Sequence, residues 1–172
     1  MKSSIQVHGP IVVASIAIVA QYVLAFFVFG LPGTPVVQWI GWGIWLLSVY
    51  LGIAPVFVLR RHGGVAAGDS YAHTTRLVDT NIYGIVRHPQ YLAGICLSLA
   101  IMFLAQHWLI AFLGIVSITM LALDAREADR QGSGKFGSEY QRYMHRVPQL
   151  NLILGLWRRI RGRNPRPRRD FG

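Results

Sequence analysis

Long runs without a charged residue constrain this chain more than any other feature. Residues 10–30, PIVVASIAIVAQYVLAFFVFG, contain no Asp, Glu, Lys or Arg, and residues 36–59 repeat the pattern. As helices, both runs are long enough to cross the roughly 30 Å hydrocarbon core of a bilayer. A third uncharged run, 90–123, is too long for one span and is interrupted at AQHW. It therefore predicts two spans, 90–105 and 108–123, joined by a tight turn.

The predicted fold class is all-α: a polytopic membrane protein with four transmembrane helices, of which the last two form a helical hairpin. The 172 residues are 53% hydrophobic and only 14% charged, which is unlike an ordinary soluble domain. The first run is interpreted as a span and not as a cleavable signal peptide, because it is too long and no small-residue cleavage site ends it. Residues 1–157 are predicted to form one transmembrane domain with a cytoplasmic C-terminal helical segment.

The distribution of basic residues predicts the orientation. All 17 Lys and Arg residues precede the first span, lie between positions 60 and 89, or follow Asp124. With four spans, these three regions fall on one side, which the positive-inside rule makes cytoplasmic. The sequence thus predicts a protein of the inner or plasma membrane, or an equivalent membrane, with both termini in the cytoplasm.

The end of the chain is strongly basic. Residues 158–172, RRIRGRNPRPRRDFG, hold seven arginines and contribute most of the formal net charge of +10. Next to a membrane, such a tail favours anionic lipid by about 1 kcal/mol per basic residue, so a nucleic-acid partner is not predicted. We expect a disordered tail, preceded by a segment, LNLILGLW, that is too short to span and is expected to lie along the membrane interface.

Several site classes lack a supporting pattern. The single cysteine, Cys96, excludes an intramolecular disulfide and a cysteine-cluster zinc site. The glycines of loop 60–80 match neither a dinucleotide fingerprint nor a Walker loop. His62 and His73 do not have a recognised ligand spacing, so no metal site is predicted.

Two polar segments, 79–91 and 124–146, are expected to converge on the cytoplasmic face, because the arms of a short hairpin return the chain to the same side. Arg87 and His88 would then lie near two acidic residues, Glu127 and Asp129. Ionisable groups held at that depth are costly, which makes them a functional-site hypothesis. The alternative is that Arg87 reaches lipid headgroups and His88 caps the helix.

The segment LVDTNIYGIVRHPQYLAG (77–94) resembles the signature of the isoprenylcysteine carboxyl methyltransferase and phospholipid methyltransferase superfamily, L-V-x-x-G-I-Y-x-x-x-R-H-P-x-Y-x-x-G. A second element, FGSEYQRYMHRVP (136–148), resembles the F-G-x-x-Y-x-x-Y motif that follows an acidic pair in these membrane enzymes. Three departures stand out. Glu127 and Asp129 flank an alanine where the family has adjacent glutamates, Gly132 lies near an expected leucine, and Asn81 replaces a glycine.

The resemblance implies methyl transfer from S-adenosylmethionine to a lipophilic or membrane-embedded acceptor at the cytoplasmic membrane face. It implies a cofactor site in segments 77–91 and 124–148, with a carboxylate taking the ammonium or ribose hydroxyls, an arginine opposing the cofactor carboxylate, and aromatic walls. The implied cofactor residues are Tyr83, Arg87, His88, Pro89, Tyr91, Glu127, Asp129 and Tyr140. The implied catalytic residues are Glu127, Arg126 and Arg142.

Other interpretations stay open at this point. The acceptor nucleophile is a carboxylate, an amine or a thiol, and the sequence does not choose among them. Membrane sterol reductases, which use NADPH, share an arginine–histidine signature but are usually longer. A non-catalytic membrane scaffold is the third interpretation, since the acidic pair departs from the family pattern.

Overall fold

A computed structural model describes residues 9–64 and 74–162 of the chain, and this part is helical without a strand. Helix α1 continues at its C-terminal end as a π-helical turn, and a 3₁₀ turn precedes α3. The helices are α1 (Gly9–Val23, with the π-helical turn Leu24–Val28), α2 (Pro35–His62), the 3₁₀ turn Asn81–Gly84, α3 (Pro89–Ala105), α4 (Trp108–Arg146) and α5 (Leu152–Ile160).

Three helical segments are long and apolar enough to cross a membrane: Gly9–Val28, Pro35–His62 and Trp108–Arg146. They support an integral membrane protein, and by length and composition they correspond to three of the four expected spans. Helix α3 is as apolar but has 17 residues, a length of about 26 Å. Its crossing of the bilayer, and with it the count of four and the orientation, stays a prediction.

The described residues form two compact units. Unit 1 takes 9–53 and 90–131, and unit 2 takes 54–64, 74–89 and 132–162. The long helices α2 and α4 each supply residues to both units.

In unit 1, α3 and α4 form the predicted antiparallel hairpin, with the turn at Gln106 and His107. The Tyr91 hydroxyl donates to Asp124 at 2.7 Å, and the Ser98 and Ser117 hydroxyl oxygens lie 2.9 Å apart. Between the Tyr91–Asp124 pair and the Ser98–Ser117 pair, the residue number rises by seven in α3 and falls by seven in α4. The two helices therefore keep one register along their length.

A buried polar cluster joins three of the helices in unit 1. Gln21 of α1 donates from Nε2 to the Ile110 carbonyl of α4 at 3.0 Å, and its Oε1 lies 2.9 Å from the Ser98 hydroxyl of α3. Gln21, Ser98 and Ser117 have no exposed surface. Each polar group thus meets another inside an apolar bundle, as hydrocarbon surroundings require.

Helix α2 packs closely on α3. The Ser48 hydroxyl donates to the Ala93 carbonyl at 2.8 Å. A side chain at Gly41 would lie 2.9 Å from Leu104 Cγ and 3.1 Å from the Ala100 carbonyl oxygen. The glycine therefore permits a close approach of the two helices, as small residues do in membrane bundles.

Unit 2 contains the C-terminal helical segment that the sequence predicts. Gly137, with φ 54°, interrupts the helical geometry of α4, and the following helical turns end at Arg146, two residues before Pro148. Helix α5 includes residues 158–160, which the sequence analysis assigned to the basic tail, and the domain boundary after residue 157 stays a prediction. Residues 163–172 of the tail and His73 lie outside the described residues.

Removal of one hydroxyl should weaken the polar cluster. We expect Ser98→Ala to lower the free energy of unfolding in detergent by about 0.5–2 kcal/mol, because Gln21 loses a partner inside the bundle. The control is Ser15→Ala, since the exposed Ser15 hydroxyl bonds only to the Ile11 carbonyl of its own helix. Equal unfolding curves for the two variants would contradict a stabilising cluster.

Candidate functional site

The C-terminal end of α4 receives two arginine side chains of unit 2. Arg87 Nη1 donates to the Met144 carbonyl at 2.8 Å and to the Val147 carbonyl at 3.2 Å. Arg158 Nη1 donates to the Arg146 carbonyl at 3.3 Å. The last carbonyls of a helix lack partners within the helix and carry its negative dipole end, so guanidinium groups suit them well.

The backbone of the arginine–histidine segment, Arg87 and His88, is hydrogen-bonded to the residues that follow α4. The Arg87 N–H donates to the Pro148 carbonyl at 3.0 Å, and the His88 N–H donates to the Gln149 carbonyl at 3.2 Å. Pro89 follows as the buried first residue of α3, where a missing N–H has no cost. The chain that follows α4 therefore holds the backbone of Arg87 and His88 in place.

Tyr143 is a buried residue of unit 2. Its hydroxyl donates to the Tyr83 carbonyl at 2.7 Å, and its ring meets the Tyr140 ring edge-on at 5.7 Å between centroids. Tyr140, Tyr143 and Val147 form a buried cluster. The buried Tyr143 side chain therefore connects the helical turns after Gly137 to the 3₁₀ turn that contains Tyr83.

An ion pair and a turn residue complete this segment. Arg146 Nη2 lies 3.1 Å from Asp79 Oδ2. Asn81 has a φ of 55°, a left-handed conformation that favours glycine and that asparagine also adopts readily. The exchange of glycine for asparagine at this position is therefore compatible with the local backbone.

The glycine at position 132 has a steric explanation in unit 2. A Cβ atom there would lie 2.5–2.9 Å from three ring atoms of Tyr140. Because Tyr140 is buried, its ring has little room to move. The glycine at position 132 therefore leaves room for the Tyr140 ring.

Asp124 of unit 1 is a buried acidic residue that was not among the predicted site residues. It is 2% exposed, and its Oδ2 accepts the hydrogen bond from Tyr91. The sequence does contain a signal for Asp124: it directly follows an uncharged run of 34 residues, 90–123. A carboxylate at the boundary of a span needs a partner, so this position indicates a buried polar contact.

The two predicted acids of unit 1 have different surroundings. Glu127 forms an ion pair with Arg130 at 3.2 Å, and both side chains reach solvent. Asp129 is 6% exposed. Arg126 of unit 1 and Arg142 of unit 2 are exposed.

The structure thus groups the predicted residues by unit. Tyr83, Arg87, His88, Pro89, Tyr140 and Arg142 belong to unit 2, whereas Tyr91, Arg126, Glu127 and Asp129 belong to unit 1. The expected convergence of segments 79–91 and 124–146 stays a prediction. Among the described residues, no group of three or more His, Cys, Asp or Glu side chains could hold a metal ion.

Comparison with known families identifies the chain. The family model for phospholipid methyltransferases matches residues 36–128, more than half of the 172 residues. The chain belongs to the phospholipid methyltransferase family. No curated protein and no solved structure matches it.

Membership in the phospholipid methyltransferase family confirms the resemblance and identifies the chain as a membrane methyltransferase. The matched range includes Tyr83, Arg87, His88, Tyr91 and Glu127, so most of the predicted cofactor residues lie on the family's own segment. It ends one residue before Asp129.

The steric role of Gly132 can be tested against a neighbouring glycine. We expect Gly132→Ala to destabilise the protein by about 1–3 kcal/mol, because the new methyl group overlaps the Tyr140 ring. Gly134→Ala is the matched control, since a Cβ there meets nothing within 4 Å. In a helix it should be neutral or stabilising by up to about 1 kcal/mol. Thermal unfolding in detergent measures both, and equal melting temperatures would refute the overlap.

Arg87 should contribute to stability as well as to any site. We expect Arg87→Gln to cost about 1.5–3 kcal/mol, because two carbonyls lose a charged donor. Arg142→Gln removes an exposed arginine from the same helical turns and should leave stability unchanged. Denaturant unfolding gives the free energies, and amide hydrogen exchange at residues 144–149 localises the change. Unaltered exchange there in Arg87→Gln would exclude the capping role.

Proposed function

We propose that this membrane methyltransferase transfers a methyl group from S-adenosylmethionine to a lipid acceptor at the cytoplasmic membrane face. The observation that carries the proposal is the family match over residues 36–128, which contains the arginine–histidine segment. The match favours methyl transfer over NADPH-dependent reduction, because the reductases share only part of this signature.

The residues of unit 1 fit the cationic parts of this cofactor. S-adenosylmethionine carries an ammonium, a sulfonium and ribose hydroxyls, and it supplies an electrophilic methyl group when bound. A carboxylate that is shielded from water binds ammonium or hydroxyl donors more strongly than an exposed one. We therefore propose that Asp129 takes these groups. Glu127, which is paired with Arg130 at the surface, contributes less.

The residues of unit 2 would mainly provide position. We propose that His88 and Tyr83 contact the cofactor and that Pro89 and Tyr140 support them by packing. Arg87 acts in this proposal as a positioning residue, because its side chain and N–H hold the segment on the carbonyls of residues 144, 147 and 148. Methyl transfer is an in-line displacement, for which alignment and exclusion of water supply roughly 7–11 kcal/mol when geometry is good.

The acceptor would enter from the bilayer. We propose that the Tyr91–Asp124 pair, fixed at the start of α3 and buried in unit 1, lines the acceptor side. A buried carboxylate favours an amine over a carboxylate acceptor, because it attracts the ammonium form and can accept the proton that the amine must lose before its lone pair attacks the methyl group. A carboxylate acceptor would instead need an arginine, for which Arg126 and Arg142 are the exposed candidates.

Cofactor binding tests the proposal directly. We expect detergent-purified protein to bind S-adenosylmethionine but not NADPH in calorimetry. Asp129→Asn should weaken this binding by roughly 10–100-fold, since a hydrogen bond to a charged group is worth about 1.5–3 kcal/mol. Glu127→Gln should have a smaller effect.

The control for both variants is Glu139→Gln, which neutralises an exposed acid. NADPH binding instead would move the chain to the reductases, and binding of neither compound would leave a scaffold. An unchanged affinity in Asp129→Asn would remove the acidic assignment while keeping the function.

A further inference from the structure

Helix α5 exposes a continuous apolar face. The exposed fraction is 83% for Ile153, 47% for Leu156, 41% for Trp157 and 77% for Ile160. Residues at this spacing lie on one side of a helix. Four large apolar side chains thus form a stripe on the outside of unit 2.

The opposite face of α5 carries the arginines and is held against unit 2. Gly155 is buried so closely against the Ile85 carbonyl that a Cβ atom would overlap its oxygen. Arg158 donates to the Arg146 carbonyl at 3.3 Å, and Arg159 donates to the Asn81 carbonyl at 3.0 Å. The Asn151 side chain caps the helix by accepting from the Leu154 N–H at 2.9 Å.

This arrangement inverts the pattern of a helix on a water-soluble protein. There, charges face the solvent and apolar residues face the core. In α5 the arginines point to backbone carbonyls of the protein, and the isoleucines point away from it. The inversion is stable only if the outer surroundings are apolar.

We propose that α5 lies in the membrane interface, with Ile153, Leu156, Trp157 and Ile160 inserted among the lipids. Trp157 fits this depth, because its amphipathic ring prefers the boundary between headgroups and acyl chains. The Arg161 guanidinium lies 4.2 Å from the Trp157 ring centroid and can contact anionic headgroups. The basic sequence that follows supplies further positive charge for the same lipids.

The contacts of α5 extend this anchoring to the arginine–histidine segment. Asn81 and Ile85, which α5 contacts, belong to the stretch that ends at His88. Insertion of α5 would therefore fix the depth of that stretch relative to the lipid headgroups. This inference does not depend on the proposed methyl transfer, and its test does not use the cofactor.

Site-directed spin labelling of the full chain in anionic lipid nanodiscs tests the depth of α5. The single cysteine is first replaced by Cys96→Ala, and the label is then attached to Ile160→Cys. We expect collisions with oxygen, which partitions into lipid, to exceed those with a water-soluble nickel complex. The oxygen-to-nickel ratio should be several-fold higher than for a label at Gln141→Cys, an exposed polar position of unit 2.

A ratio equal to that of the Gln141 label would overturn the proposal. So would dipolar broadening that disappears on dilution with unlabelled protein, since this result would show a second copy of the chain on the stripe. Fluorescence quenching by brominated lipids provides a measurement that keeps Cys96. Trp157→Phe should lower the quenched signal, and no loss relative to the unmodified protein would place Trp157 outside the lipid.

Discussion

The arrangement of unit 2 depends on the last backbone carbonyls of α4, which have no hydrogen-bond donors within the helix. The helical turns that follow Gly137 end there at Arg146, and their last carbonyls need donors that the helix itself cannot supply. Arg87, which precedes α4 in the sequence, and Arg158, which follows it, supply these donors. One helix end thus fixes both the segment before α3 and the position of α5, and the Tyr143–Tyr83 contact adds to the same arrangement.

Much of the fold was predictable because the absence of charge is a local signal. The four uncharged segments and the interruption at AQHW correspond to helices α1–α4 and the turn between α3 and α4. The continuation of α4 beyond residue 123 was not predictable in the same way, because Gly132 and Gly134 lower helix propensity there. Packing of Tyr140 on Gly132 gives that stretch a tertiary contact that no local pattern reveals.

The resemblance names candidate site residues, but no local pattern in the sequence predicts which of them are buried or what they contact. Glu127 and Asp129 are two positions apart, so they lie on opposite faces of a helix, and their order does not say which face is buried. The structure buries Asp129. The resemblance assigned Arg87 to the cofactor. Its contacts with the carbonyls of residues 144 and 147 were not predictable, because those residues lie 57 and 60 positions further along the chain. Asp124 was counted only as the first residue of the cytoplasmic segment 124–148, although its carboxylate accepts a hydrogen bond from Tyr91.

The donors and acceptors in the polar cluster of α1, α3 and α4 follow from the number of hydrogens that each group carries. The Ser98 hydroxyl has one hydrogen and two oxygen neighbours, so when it donates to Gln21, Ser117 must donate to Ser98. Gln21 then donates to a backbone carbonyl. A proton wire requires every member to release the proton it receives, and a neutral amide does not. These buried hydrogen bonds therefore hold the three helices together, and they do not form a proton-conducting chain.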